Sequence, residues 1–330
     1  MSVLYWNPTA NHFVGGSTMK AQKNQNHSDT PVFNLIPEDQ LTRELSPVWH
    51  KRFDKAVRHI LENIQHPLNW QEVANLCAIS PNHFRDMFSQ VFNETPGQYL
   101  RRMRLKLAVY YLCTEQDLSI TEIATESGFS SSQALAKVLR QLLNTSASEI
   151  RDRIHQHDEA YIEDLMRFSG HPQKGLSDSM EQAMASDIPV TLKYYPERPV
   201  FIHKAAMYSF SKLEKIWKQK RPSSANDRVL VYSWTDLASP DQSTTNSAGY
   251  FCDEADANHR ISAGLYLSCR VNISGLAGYY ATLKSLYLYV LRHGLEPENS
   301  APVIETYHNC DTLYAESIDL SASILVRPAS

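Results

Sequence analysis

No stretch of this 330-residue chain approaches the roughly 20 consecutive apolar residues that a membrane span requires. Met1 to Lys20 lacks a basic start followed by an apolar run and does not read as a signal peptide; Met19, just before Lys20-Ala21-Gln22-Lys23, makes part of this stretch a candidate upstream extension. Closely spaced cysteines are also missing. The five are Cys77, Cys113, Cys252, Cys269 and Cys310, an odd number with no pair two to four residues apart. That argues against a zinc ribbon or a disulfide framework and for a reduced, cytoplasmic setting. The 13 histidines are scattered, and His155 and His157, two apart, fall on different faces of a polar helix. Neither metal nor cofactor is expected. There is no Ser-His-Asp order, no carboxylate pair and no phosphate loop, so catalysis is not expected either.

Net charge is low as well: 32 Lys and Arg against 36 Asp and Glu give −4, which excludes a uniformly basic coat for nucleic acid. The charge is not evenly spread. Trp49 to His155 holds 13 basic and 11 acidic residues, or +2, leaving −6 for the remainder. Hydrophobic residues at 42% and charged ones at 21% exclude wholesale disorder, and the length favours two domains.

The chain divides into four stretches. Residues 1–47 are polar and irregular and read as a disordered tail. Residues 48–157 carry helical periodicity. Residues 158–187, with Ser169-Gly170-His171-Pro172, read as a linker. Residues 188–330 alternate in short strands: Ile188–Tyr195, Val200–Met207, Arg228–Trp234, Arg260–Ser268, Gly278–Leu283 and Val303–Tyr307, interrupted by helical patterns at Ser209–Lys220 and Thr282–His293. The polar run Ser239–Asn258 reads as a long surface loop.

The helical stretch repeats itself. Glu72-Val73-Ala74 and Ile79-Ser80 return 50 residues later as Glu122-Ile123-Ala124 and Phe129-Ser130. After one inserted residue, Phe84, Phe88 and Phe92 correspond to Leu135, Leu139 and Leu143, Asn93 to Asn144, and Thr95 to Ser146. Each copy reads as helix, tight turn, helix. Ala74 and Ala124 permit close helix approach, and Ile79 and Phe129 plug the space under the turn. Ser80 is the expected N-cap of the second helix in the first copy, and Ser130 or Ser131 in the second. Those second helices bury an apolar stripe and turn outward Asn82, His83, Arg85, Asp86, Ser89 and Gln90, then Ser132, Gln133, Ala136, Lys137, Arg140 and Gln141. Short polar side chains and Arg on an exposed helix suit base edges in a major groove. A plain helical bundle also has solvated faces, but two copies at matched offset, each with small residue, turn and plug, favour DNA binding. Between them Gln98–Leu112 forms a spacer helix carrying Arg101, Arg102, Arg104 and Lys106, expected partly to neutralise phosphates and partly to lie solvated over apolar stems.

Several stretches resemble the DNA-binding domain of the AraC/XylS family of bacterial transcription regulators: Leu68–Ala74, Ser80-Pro81-Asn82-His83-Phe84, Thr95–Leu105, Ser119–Ala124 and Glu126–Ser131. The resemblance spans about Phe53 to Ile154. It implies seven helices, two helix-turn-helix units in one chain, and recognition helices entering successive major-groove segments about 34 Å apart. DNA-binding candidates are Asn82, His83, Arg85, Asp86, Ser89, Gln90, Arg101, Arg102, Arg104, Ser131, Ser132, Gln133, Lys137 and Arg140. The chain departs from the family pattern where Leu135 and Leu139 replace aromatics, where Asn144-Thr145-Ser146-Ala147 replaces Gly-x-x-Pro, and at Ile150, where a Tyr is usual. With Ala136 shortening the second reading surface, the first unit is expected to carry more specificity. Two readers in one chain also mean that the usual inference of a dimer does not apply.

The C-terminal stretch resembles the GyrI-like effector-binding domain, through Ile273–Ala281 and Pro302-Val303-Ile304-Glu305-Thr306-Tyr307. That implies an α+β fold of two βαββ-like halves around a cleft, lined by aromatics with one acid and suited to hydrophobic, often cationic, small molecules. The matching acid is Glu305, flanked by Tyr307. Candidate walls are Trp217, Trp234, Tyr266 and Tyr280, with Tyr232 and Tyr287, each of which core packing would equally explain. The fold class expected is thus multidomain, an all-α double helix-turn-helix domain followed by an α+β domain. The function expected is a one-component regulator that binds double-stranded promoter DNA and a small-molecule effector, with RNA polymerase as a candidate partner and no membrane association. The alternatives are a C-terminal protein-interaction module, or a small-molecule hydrolase with Glu305 as general base.

Overall fold

Polar caps and apolar stripes organise the first half of the chain into helices. Asn69, Ser80, Thr95, Ser119, Ser131 and Ser146 each accept a backbone N–H of the helix they open, and Thr95 with Gln98 and Ser119 with Glu122 close reciprocal capping boxes. The computed structural model describes residues 31–115, 117–156, 158–204, 228–233, 247–298, 301–308 and 317–329, of which 204, 228–233 and 247 as backbone only. They form two units. Of the described residues, those in 35–184 and 274–280 make up one unit; those in 31–34, 185–273 and 281–329 make up the other.

The first unit contains α1 (Pro37–Thr42), α2 (Pro47–Glu62), α3 (Trp70–Leu76), α4 (Pro81–Phe92), α5 (Pro96–Thr114), α6 (Ile120–Glu126), α7 (Ser132–Leu143), α8 (Ala147–His155), α9 (Glu159–Ser169) and α10 (Met180–Met184). Two cores divide it along α5. Tyr99, Leu100 and Met103 pack with Phe53, Phe84, Phe88 and Phe92, whereas Leu105, Ala108, Val109 and Leu112 pack with Ile123, Leu135, Leu139 and Ile150. Each reader therefore has its own core, and one continuous helix joins them. The leucines that replace aromatics at 135 and 139 are fully buried and fill the second core.

Two expectations are corrected here. The stretch read as a linker, 158–187, is largely structured: α9 places Leu165 and Met166 in the second core, and His171 and Glu181 are buried. The stretch read as a disordered tail, 1–47, includes α1 and a short strand β1 (Phe33–Asn34), with Leu35 and Ile36 buried; residues 1–30 lie outside the described residues. Helical periodicity over six residues is too short to register against a polar background.

The second unit is built on a mixed sheet. Its strands are β1, β2 (Thr191–Tyr195), β3 (Arg198–Lys204), β4 (Arg228–Ser233), β5 (Ser247–Phe251), β6 (His259–Ile261), β7 (Gly264–Ile273), β8 (Leu295–Pro297), β9 (Pro302–Tyr307) and β10 (Ile318–Pro328), and it includes most of α11 (Leu276–Arg292). Strands run β1-β7-β10-β9-β4-β5-β3-β6 across the sheet, with β2 also on β7 and β8 on β10. The order is internally symmetric. In β3-β5-β4 and in β7-β10-β9 the third strand of each set lies between the first and the second, and β4 meets β9 antiparallel at the centre.

The strand readings need three changes. Gly278–Leu283 lies inside α11. The expected loop 239–258 contains β5, and residues 239–246 of it lie outside the described residues. The long β10 is a strand that the sequence reading did not include; Ser321 and Ser323 are buried in it, and the Ser268 and Ser323 hydroxyls bond at 2.9 Å. The helix expected at Ser209–Lys220 lies outside the described residues.

Candidate nucleic-acid interface

The two readers are built by the same backbone devices. Ala78 and Gly128, 50 residues apart, both take the left-handed conformation, with φ 54° and 78°, and turn the chain between helices. The next residue then donates its N–H back into the first helix: Ile79 to the Ala74 carbonyl at 3.2 Å, Phe129 to that of Ala124 at 2.8 Å. Their side chains pack against the respective cores, the plug positions expected. α4 and α7 both end on a left-handed asparagine, Asn93 (φ 57°) and Asn144 (φ 51°), 51 residues apart. Asn144 followed by the Ser146 cap thus makes the final turn without the usual Gly and Pro.

On α4, Asn82, His83, Arg85, Asp86 and Gln90 are exposed. Ser89 is half-buried and its hydroxyl donates to the Arg85 carbonyl at 2.8 Å, so it is turned onto its own helix. On α7, Gln133, Lys137 and Arg140 are exposed and Ser132 is half-buried. Ser131 is the N-cap of α7, accepting from Ala134 N–H at 3.1 Å, which assigns the cap to Ser131 rather than Ser130. Two further residues flank the first reader. Trp49 on α2 meets the His83 ring edge-on at 5.6 Å, and Arg52 lies over the Trp49 ring at 4.9 Å. Their signal in the sequence is only an i,i+3 aromatic–cation pair.

The α5 cations depart most from expectation. Arg102 is buried: its Nη2 lies 2.6 Å from Glu94 Oε1 and 3.7 Å from Glu38 Oε1. Arg104 donates from Nε to the Ile64 carbonyl at 2.7 Å and from Nη2 to that of His66 at 2.8 Å. Lys106, half-buried, sits 3.7 Å from the buried Glu181 carboxylate. Arg101 is half-buried and donates to Gln141 Oε1 on α7. All four are engaged within the unit because α5 is enclosed by both cores. Arg102 in particular is removed from the phosphate-binding set, since reaching solvent would leave Glu94 buried without its partner.

In the sheet unit Glu305 is fully buried and accepts from the Tyr307 hydroxyl at 2.5 Å. Strand alternation sets which residues can join it. Tyr266 packs with Ile304, the neighbour of Glu305 on the opposite face, so the sheet separates Tyr266 from Glu305. Tyr266 instead donates its hydroxyl to the Ser262 carbonyl and lies against Arg198. Tyr280 packs against the second core of the helical unit, which removes it as a wall beside Glu305. Tyr287 is exposed on α11. Trp217, Trp234 and the Tyr232 side chain lie outside the described residues. Cross-strand register puts Phe201, His203 and Tyr250 on the face of Glu305, with Phe201 and Tyr250 stacked at 5.3 Å. These were missed because their alternation spans strands distant in sequence.

A family model described as a helix-turn-helix domain matches residues 73–153. The regulatory protein SoxS of Escherichia coli K12 is 34% identical over 104 residues, covering 32% of this chain and 96% of that protein. The HTH-type transcriptional regulator AlkR of Acinetobacter baylyi is 30% identical over 109 residues, covering 33% of this chain and 35% of AlkR. Among solved structures, an AraC-type transcriptional regulator from Chromobacterium violaceum is 26% identical and covers 33% of this chain and 96% of its own, with a TM-score of 0.30. No helix among the described residues is long and apolar enough to cross a membrane.

Proposed function

Because the chain belongs to the AraC/XylS family of helix-turn-helix transcription regulators, we propose that it binds promoter DNA through α4 and α7 together, and that its sheet unit binds a small effector. The observation that carries the DNA reading is the duplicated geometry: two left-handed turns, two plugs and two exposed helix faces at matched offsets. Base-edge candidates are Asn82, Arg85, Gln90, Gln133, Lys137 and Arg140. Arg supplies a bidentate donor pair for guanine, and Asn or Gln for adenine. The affinity rests on these exposed cations and on Arg52 rather than on α5.

The effector reading takes the sheet unit as GyrI-like. It is supported by the symmetric strand order and by Glu305, a buried carboxylate bonded to Tyr307, with Phe201 and Tyr250 on the same face of the sheet, a face suited to a hydrophobic cation. Such an effector acts only through different affinities for DNA-competent and incompetent states. Selection of bound duplexes from random sequence with the full chain tests the DNA reading: enrichment of a bipartite site supports it, and absence of enrichment overturns it.

A further inference from the structure

The two readers are tied to each other by more than the helix between them. The segment joining α2 to α3, on the first reader, rests on the turn of the second. Arg104 donates to the Ile64 and His66 carbonyls at 2.7 and 2.8 Å, and Gln65 Nε2 donates to Glu126 O at 3.0 Å and to Glu126 Oε2 at 3.1 Å, at the end of α6. Gly128 in the second turn lies directly beneath this segment. A Cβ there would stand 2.3 Å from the Ile64 carbonyl oxygen, 2.8 Å from Arg104 Nε and 3.0 Å from Gln65 Cα. Arg104 itself lies between Met103, the last α5 residue in the first core, and Leu105, the first in the second. The contacts therefore sit where one core hands over to the other, the point about which the two halves would flex.

We propose that Arg104, Gln65 and Gly128 form a register lock that fixes the distance and angle between α4 and α7, and so make the spacing between DNA half-sites a determinant of specificity. This rests on the reading that both helices contact DNA. The lock residues are positioning residues: Arg104, on the shared α5, holds backbone of the first reader, Gln65 holds backbone of the second, Gly128 permits their close approach, and none needs to touch a base. Two carbonyls held by one guanidinium make a planar, directional tie, which a lysine would not reproduce. One base pair inserted between half-sites moves the second by about 3.4 Å and turns it by roughly 35°. A rigid protein cannot follow that shift and loses one reader's contacts.

The test measures binding of the full chain to its selected duplex and to duplexes with one base pair added or removed between the half-sites. Wild type is expected to lose roughly ten- to a hundredfold on either change, the scale of a good bidentate base contact. Arg104→Ala and Gln65→Ala are expected to keep most of the affinity for the optimal spacing and to flatten the penalty several-fold, with Arg104→Lys behaving like Arg104→Ala. Gln65 is exposed, so its variant carries the test if Arg104→Ala does not fold. A merely structural role would weaken all spacings alike. Unchanged spacing profiles in folded variants overturn the lock while leaving the DNA reading intact. Failure of wild type to select any sequence overturns the DNA reading and the lock together.

Discussion

Arg102 and Glu94 form a bidentate pair inside the helical unit, with Arg102 Nη2 2.6 Å from Glu94 Oε1 and Nε 3.2 Å from Glu94 Oε2. Burial opposes the Arg102 charge, but Glu94 and Glu38 outweigh it and hold the guanidinium above its ordinary range. Arg102→Ala should cost about 3–5 kcal/mol in urea unfolding, because it strands a buried carboxylate. The salt dependence of DNA binding should not change. A fall of about one unit in the salt slope would instead return Arg102 to the phosphate contacts.

The same cluster sets a pH dependence. His171 is fully buried, and burial with the neighbouring Arg102 holds its imidazole below the ordinary 6.5. The folded protein therefore protonates His171 less readily than the unfolded chain, which takes up a proton near 6.5. Its contribution to stability is complete above that value and is lost as pH falls from about 6.5 toward the lower folded value. Burial would raise the Glu38 carboxyl, but Lys106, Arg102 and His171 hold it below its usual 4.5, so its contribution is lost only at more acidic pH. Denaturation curves at pH 7.5 and 5.5 should show wild type weakening at the lower pH and His171→Asn weakening less. Equal stability of wild type at both refutes this.

The two turns make opposite predictions from one geometry. Ala78 holds φ 54° with a side chain that disfavours it, so Ala78→Gly should be neutral to stabilising by up to about 1 kcal/mol. Gly128→Ala adds a Cβ 2.3 Å from the Ile64 oxygen at φ 78° and should destabilise by more than about 1 kcal/mol. Thermal melts of the two variants would show this, and a shift in the same direction for both would contradict it.

On the reading faces, Arg85→Ala should weaken binding by about 1–3 kcal/mol and relax sequence preference at one position. Lys137→Ala and Arg140→Ala test whether the second reader contributes less, as Ala136 suggests. Larger losses from α7 than from α4 would reverse the expected order.

For the sheet unit, Glu305→Gln should abolish the heat of binding of aromatic cations in titration calorimetry, with no product formed by wild type. Undiminished binding removes Glu305 from the site, and turnover of a small electrophile by wild type would favour the hydrolase alternative.

The amino-acid sequence by itself determined the duplication, the caps, the plugs and the apolar stripes of α4 and α7. All are local: a cap acts over three residues, a helical stripe repeats every three or four, and the repeat compares the chain with itself. Tertiary structure alone decided the fate of the α5 cations. Arg101, Arg102, Arg104 and Lys106 cluster along the sequence as a basic run, but α5 runs between two cores, and the partners that bury Arg102 and engage Arg104 come from other elements. It also decided which face of the sheet each candidate occupies, since β9 pairs with β4 and β10 from distant parts of the chain. The low net charge of the reader therefore overstates how many of its cations are free to meet DNA: several neutralise acids or carbonyls within the fold, while Arg85, Lys137 and Arg140 on the reading helices stay exposed.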